Sequence, residues 1–153
     1  IGGSAGPYRG AKKTLFEGGI RVPCIVSWPG RIPQGGVRSQ MGTAMDWLPT
    51  LAQYCGLNTE DLPLDGRPLT RVIDEDQPTP HETLHWLLST QWAIREDNWK
   101  LMSADSGVFL SNLHADPGES TNLARARPDI VEHLLAQHSI WRATGIEPIY
   151  QSR

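Results

Sequence analysis

Cysteine is scarce in this chain of 153 residues, with only Cys24 and Cys55 present. One bridge is the most they could form, and neither stands at a spacing that suggests a metal site. Both have apolar neighbours, so the reading here is of buried free thiols. No His-Glu-x-x-His, paired-cysteine or Asp-rich metal-loop pattern occurs. Long apolar runs are also missing; none approaches the ~20 residues that a membrane-spanning helix needs. Basic charge is not in excess. Fourteen Lys and Arg against 17 Asp and Glu leave a net charge of −3, which argues against a general nucleic-acid binder. The opening Ile1-Gly2-Gly3 has neither an initiating Met nor a signal peptide, and reads as a cut inside a longer protein.

Glycine and proline, at 15 and 12, are plentiful and indicate many turns. They punctuate Tyr8-Arg9-Gly10-Ala11-Lys12-Lys13-Thr14-Leu15-Phe16-Glu17-Gly18-Gly19-Ile20-Arg21-Val22-Pro23, around which the chain is organised. Gly10, Gly18 and Gly19 let this stretch bend tightly and approach an anion closely. Lys12 and Lys13 place positive charge inside it. Residues 22–28 then read as a buried strand, closed by Pro29-Gly30. Glu17 and Arg21 stand four apart, but Gly18-Gly19 argues against a regular helix. Both are expected to shape the loop, while Arg9 either assists an anion or solvates the loop.

Further along, Trp47, Leu48, Leu51, Ala52 and Cys55 recur at helical spacing over 46–55, with Asp46 at the start and Gly56 as a stop. Pro49 is tolerated in the first turn. A strand followed by a helix fits the edge of an α/β layer. Residues 57–80 read mostly as linker. Residues 82–88, 92–96, 99–103 and 108–113 read as four strands separated by Ser89-Thr90-Gln91, Asp97-Asn98 and Asp105-Ser106-Gly107, an antiparallel meander. Residues 128–142 form an amphipathic helix with Ile130, Val131, Leu134, Leu135 and Trp141 on one face, expected to lie across that sheet.

The five histidines are scattered and read as surface or half-buried side chains. His85, beside Trp86 on a predicted strand, is set apart as one that could reach a substrate cleft. Six tryptophans are many for this length. Aromatic faces stack on sugars, yet Trp47, Trp99 and Trp141 fall on apolar faces and read as core.

The run Arg-Gly-Ala-Lys-Lys-Thr-Leu-Phe-Glu-Gly-Gly-Ile-Arg-Val-Pro, with its Trp28-Pro29-Gly30 close, resembles the C-terminal signature of type I sulfatases of the alkaline phosphatase superfamily. Leu64-Asp65-Gly66-Arg67-Pro68-Leu69, residues 93–101 and Asp116-Pro117-Gly118-Glu119-Ser120-Thr121-Asn122-Leu123 resemble further phrases of that family. The resemblance covers most of residues 7–142, which is the C-terminal third of a complete enzyme. It implies an α/β fragment: the edge strand and helix of the large domain with the lysine loop over 1–62, a linker over 63–80, and a small subdomain over 81–153. It also implies that Lys12 touches the substrate sulfate, with Arg9 and His85 as lesser substrate-binding candidates and Lys13 at the surface.

By the same resemblance, the complete enzyme hydrolyses a sulfate ester, with a sulfated small molecule or glycan as substrate. It uses calcium or another divalent cation, and a formylglycine made from a Cys-x-Pro-x-Arg or Ser-x-Pro-x-Arg motif. That motif and the family's acidic metal pairs do not occur here, so the fragment alone is expected to be inactive and to hold no metal. Family habit places such enzymes in the periplasm, outside the cell or in a lysosome. The alternatives are a phosphonate or phosphate monoester hydrolase of the same superfamily, or a non-catalytic glycan- or partner-binding module. An unpaired edge strand would favour self-association.

Overall fold

The computed structural model describes residues 3–104 and 107–145. In chain order the elements are α1 (Glu17–Ile20), a 3₁₀ turn (Ala44–Asp46), α2 (Trp47–Tyr54), α3 (Thr70–Glu75), β1 (Thr83–Leu88), β2 (Gln91–Glu96), β3 (Trp99–Ala104), β4 (Gly107–Asn112) and α4 (Pro128–Thr144). They form two compact units, one of Ile1–Pro23 with Thr83–Arg153, the other of Cys24–Glu82. The grouping differs from the boundaries expected at 62 and 80: the lysine loop packs with the sheet, and the expected linker contains α3.

The first unit is built on an antiparallel meander in the order β1-β2-β3-β4. Leu88 pairs with Gln91 and Glu96 with Trp99, which leaves Ser89-Thr90 and Asp97-Asn98 as two-residue turns. Ser89 and Asp97 take positive φ (56° and 48°), a conformation that lets a short turn follow the twist of its strands. Within the expected third turn, Asp105 and Ser106 lie outside the described residues.

Alternation divides the sheet into two apolar faces. His85, Ile94, Leu101 and Leu110 share one by register, and Ile94, Leu101 and Leu110 are packed with Leu134 of α4. Ala93, Met102 and Phe109 share the other, where Leu15, Phe16, Ile20 and Trp86 pack on them. Each such large side chain contributes roughly 1.5–3 kcal/mol of transfer free energy when fully buried. Pro128 sits at the start of α4, where its missing N–H leaves no bond unmade, and Asp129 lies in the first turn.

The second unit buries Ile32, Met41, Ala52, Tyr54, Leu69 and Val72. Asp46 precedes α2 but makes no side-chain bond to it. Its fully buried carboxylate instead accepts from the Thr43 and Arg67 amides at 2.6 and 2.9 Å and meets His81 Nε2 at 2.9 Å.

Three further expectations are corrected. Residues 22–28 form no strand: Val22 is 77% and Ile25 92% exposed. An isolated strand leaves its amides and carbonyls unpaired, and residues 22–28 pair with no described strand. Cys24 and Cys55 are free as expected, yet both are exposed rather than buried. A turn of helix does form across Gly18-Gly19, because Gly19 and Ile20 amides both donate to the Phe16 carbonyl, at 2.8 and 3.2 Å.

Candidate functional site

The loop from Arg9 to Ile20 is closed on itself before it meets the sheet. Gly18 N–H donates to the Arg9 carbonyl at 2.7 Å. A Cβ on Gly18 would lie 2.5 Å from that oxygen, and one on Gly19 would collide with the Thr14 carbonyl, so neither position has room for a side chain. Gly10, at φ +86°, turns the chain into the loop. Ala11 to Thr14 is a tight turn: the Thr14 amide and hydroxyl donate to the Ala11 carbonyl at 3.0 and 2.9 Å, and the Thr14 oxygen accepts from the Ala11 amide at 3.2 Å. Lys12 and Lys13 occupy the middle of this turn. Lys13 takes the positive φ, 75°, as the third residue of a type II turn does.

Beneath the loop lies a buried ion cluster. Lys100 of β3, fully buried, places Nζ 2.9 Å from Glu17 Oε1 and 2.9 Å from Glu119 Oε1. The other oxygen of Glu119 accepts from the Glu17 amide at 2.5 Å, and Ser111 Oγ donates to Oε1 at 3.1 Å. Arg21 Nη1 stands 3.7 Å from Glu17 Oε2. A buried charge persists only when paired and hydrogen-bonded, and here every carboxylate oxygen of Glu17 and Glu119 faces a donor.

Arg9 belongs to this support. Its guanidinium lies 4.1 and 5.0 Å from the ring centres of Phe16 and Phe109, and Nη1 donates to the Glu119 carbonyl at 3.0 Å. Its side chain holds the loop, a role outside the two weighed for it. Lys12 is exposed and has no hydrogen bond or ion pair among the described residues. Lys13 is exposed as well.

His85 lies elsewhere. Register puts it on the sheet face covered by α4, opposite to the loop face, so it does not join Lys12. Its ring stacks on Trp141, and Nδ1 lies 3.2 Å from Nδ1 of His138, which in turn stacks on Trp92. Burial, then the neighbouring His138, pushes the His85 pKa down to about 4.

The loop and the cluster both lie within a stretch that matches a known family. A family model described as N-sulphoglucosamine sulphohydrolase, C-terminal, matches residues 8–139. The chain belongs to this sulfatase family. Human arylsulfatase A is 30% identical over 87% of the chain, and N-acetylgalactosamine-6-sulfatase of Canis lupus familiaris is 38% identical over 65% of it. Among solved structures, Ps i-CgsB in complex with k-i-k-neocarrahexaose matches at 25% identity and a TM-score of 0.80 over 89% of the chain. The chain spans 28%, 19% and 32% of the lengths of these three proteins. The four-stranded sheet and its helix are thus those of the C-terminal part of a sulfatase.

Sequence reading missed Lys100 and Glu119 as partners of the lysine loop. A signal existed for Lys100: strand alternation sets it on the same face as Met102, an inward position that a lysine occupies only with partners. His138 was placed among scattered histidines, and only the packing of α4 joins it to His85.

Proposed function

We propose that this chain is the C-terminal part of an enzyme that hydrolyses sulfate esters, with a sulfated sugar as substrate, and that Lys12 contacts the sulfate. One observation carries the reading: the tip of a loop otherwise tied down presents exposed lysines with no partner among the described residues, whereas Arg9 is engaged. Of the two lysines, the family resemblance assigns the sulfate to Lys12 rather than Lys13. Cleavage of an S–O bond moves negative charge onto the departing and attacking oxygens. A fixed ammonium beside them stabilises the transition state more than the ground state. The name of the N-acetylgalactosamine-6-sulfatase relative and the saccharide in the Ps i-CgsB complex support a sugar substrate.

The resemblance also implies a calcium ion and a formylglycine. Among the described residues no three His, Cys, Asp or Glu are grouped so as to hold a metal, and neither Cys24 nor Cys55 begins a Cys-x-Pro-x-Arg sequence. Both groups are therefore assigned to other parts of a full-length enzyme. A periplasmic, extracellular or lysosomal setting belongs to the same proposal. No described helix is long and apolar enough to cross a membrane.

The test is turnover by the full-length protein on a chromogenic aryl sulfate, the matching aryl phosphate and a 6-sulfated amino sugar. Sulfate release from the aryl ester and the sugar is expected. Preference for the phosphate would make it a phosphomonoester hydrolase, and saccharide binding without release from any ester would make it a binding module.

A further inference from the structure

We propose that Glu119 is a positioning residue for Lys12, holding both ends of the lysine loop; this rests on the reading of Lys12 as the sulfate contact. The two grips come from different parts of one residue. The Glu119 carbonyl accepts from Arg9 Nη1 at 3.0 Å at the start of the loop, and its carboxylate accepts from the Glu17 amide at 2.5 Å at the end. Lys100 locks the second grip by bridging the Glu17 and Glu119 carboxylates, each at 2.9 Å. The residues between, Gly10 to Phe16, carry Lys12 at their tip and reach the sheet through Leu15 and Phe16.

Two features separate this from ordinary core packing. Glu119 is fully buried in a left-handed backbone conformation, φ +52°, a geometry that glycine or asparagine adopts more readily. That geometry is held by the turn around it, where Asp116 Oδ2 accepts from the Ser120 and Thr121 amides at 2.7 and 3.0 Å. Strain maintained by surrounding bonds, at a residue whose polar atoms address both ends of one loop, fixes where the loop's tip lies. A reacting group displaced by about 1 Å loses on the order of 10²-fold in rate.

The experiment is a double-mutant cycle in the full-length enzyme with an aryl sulfate, using Glu119→Gln and Lys12→Ala. Glutamine keeps an acceptor but not the charge that Lys100 bridges. Alone, Glu119→Gln should lower kcat by about 10–10²-fold with KM little changed. In the Lys12→Ala background it should lower kcat less than about twofold, because the group it positions is gone. An equal loss in both backgrounds, or no loss in either, overturns the proposal. Should Glu119→Gln fail to fold, Arg9→Gln releases the other grip at the surface, and the same cycle is run with it.

If Lys12→Ala alone is fully active, Lys12 is not the sulfate contact although the sulfatase reading stands, and the clasp is judged by amide exchange on the 153-residue chain. Glu119→Gln should speed deuterium uptake at the Glu17 and Gly18 amides while those of Ile94 and Leu101 keep their protection. Unchanged uptake in the loop overturns it.

Discussion

His85 and Trp141 lie face to face, with ring centres 4.5 Å apart and planes 2° from parallel. The stack seats the end of α4 on β1. Thr83 Oγ1 is 3.2 Å from His85 Nε2, and His138 fills the other side, with Arg142 acting on His138 electrostatically. With its pKa held at about 4 against an ordinary 6.5, folded His85 binds fewer protons than unfolded His85 between those values. The contribution of His85 to stability is therefore full above about 6.5 and is lost as pH drops towards 4. Melting temperature measured across that window should decline with acid, and His85→Phe should flatten the decline. An unchanged slope in the variant would assign the loss to other groups.

Lys12→Ala in the full-length enzyme should lower turnover by about 10²–10³, the cost of losing a preorganised donor, with the melting temperature unchanged. Lys13→Ala should alter turnover little. If Lys13→Ala is crippled and Lys12→Ala is normal, the wrong lysine of the turn has been assigned to sulfate.

Lys100→Met should destabilise the chain by about 3–5 kcal/mol, because it strands two buried carboxylates without their shared cation. Denaturant unfolding measures this directly. A loss under about 1 kcal/mol would place Lys100 with exposed pairs, which contribute little.

Gly19→Ala should cost about 1–3 kcal/mol, since the added methyl meets the carbonyl oxygens of Thr14 and Ala11 with no flexible atom to yield. Gly3→Ala, with open space around its Cβ site, is the matched control and should unfold like the parent. Equal midpoints for the two variants would show that the loop can move aside.

Val22, Ile25, Leu48 and Leu51 are all exposed. Such apolar surface is expected to drive self-association of the 153-residue chain. Sedimentation at high concentration should show dimers or larger species, reduced by Ile25→Lys. A monomer at every concentration would remove the expectation.

The meander and α4 were legible because alternation of period two and the 3.6-residue repeat are local signals. Ala93 and Ile94 already name the two faces of β2. Residues 22–28 misled for the same reason: an apolar run records what a segment can bury, and burial depends on a neighbour the run does not contain. Thr70–Glu75 escaped notice as a single short turn, of which only Thr70 and Val72 are buried. The clasp was illegible because Glu17 and Lys100 are 83 residues apart, and Glu17 and Glu119 102. Only a folded sheet brings those charges together.

That separation also orders events in time. The hairpins can zip from neighbouring residues, whereas the loop must find β3 across the whole span of Cys24–Glu82, and closing such a span is slow. Docking of the loop is therefore a late step, and Lys100→Met should quicken unfolding far more than it slows refolding. The ammonium at the loop tip is then expected to reach its place late and to leave it early under stress. A stopped-flow record in which Lys100→Met slows refolding instead would put the loop's arrival early.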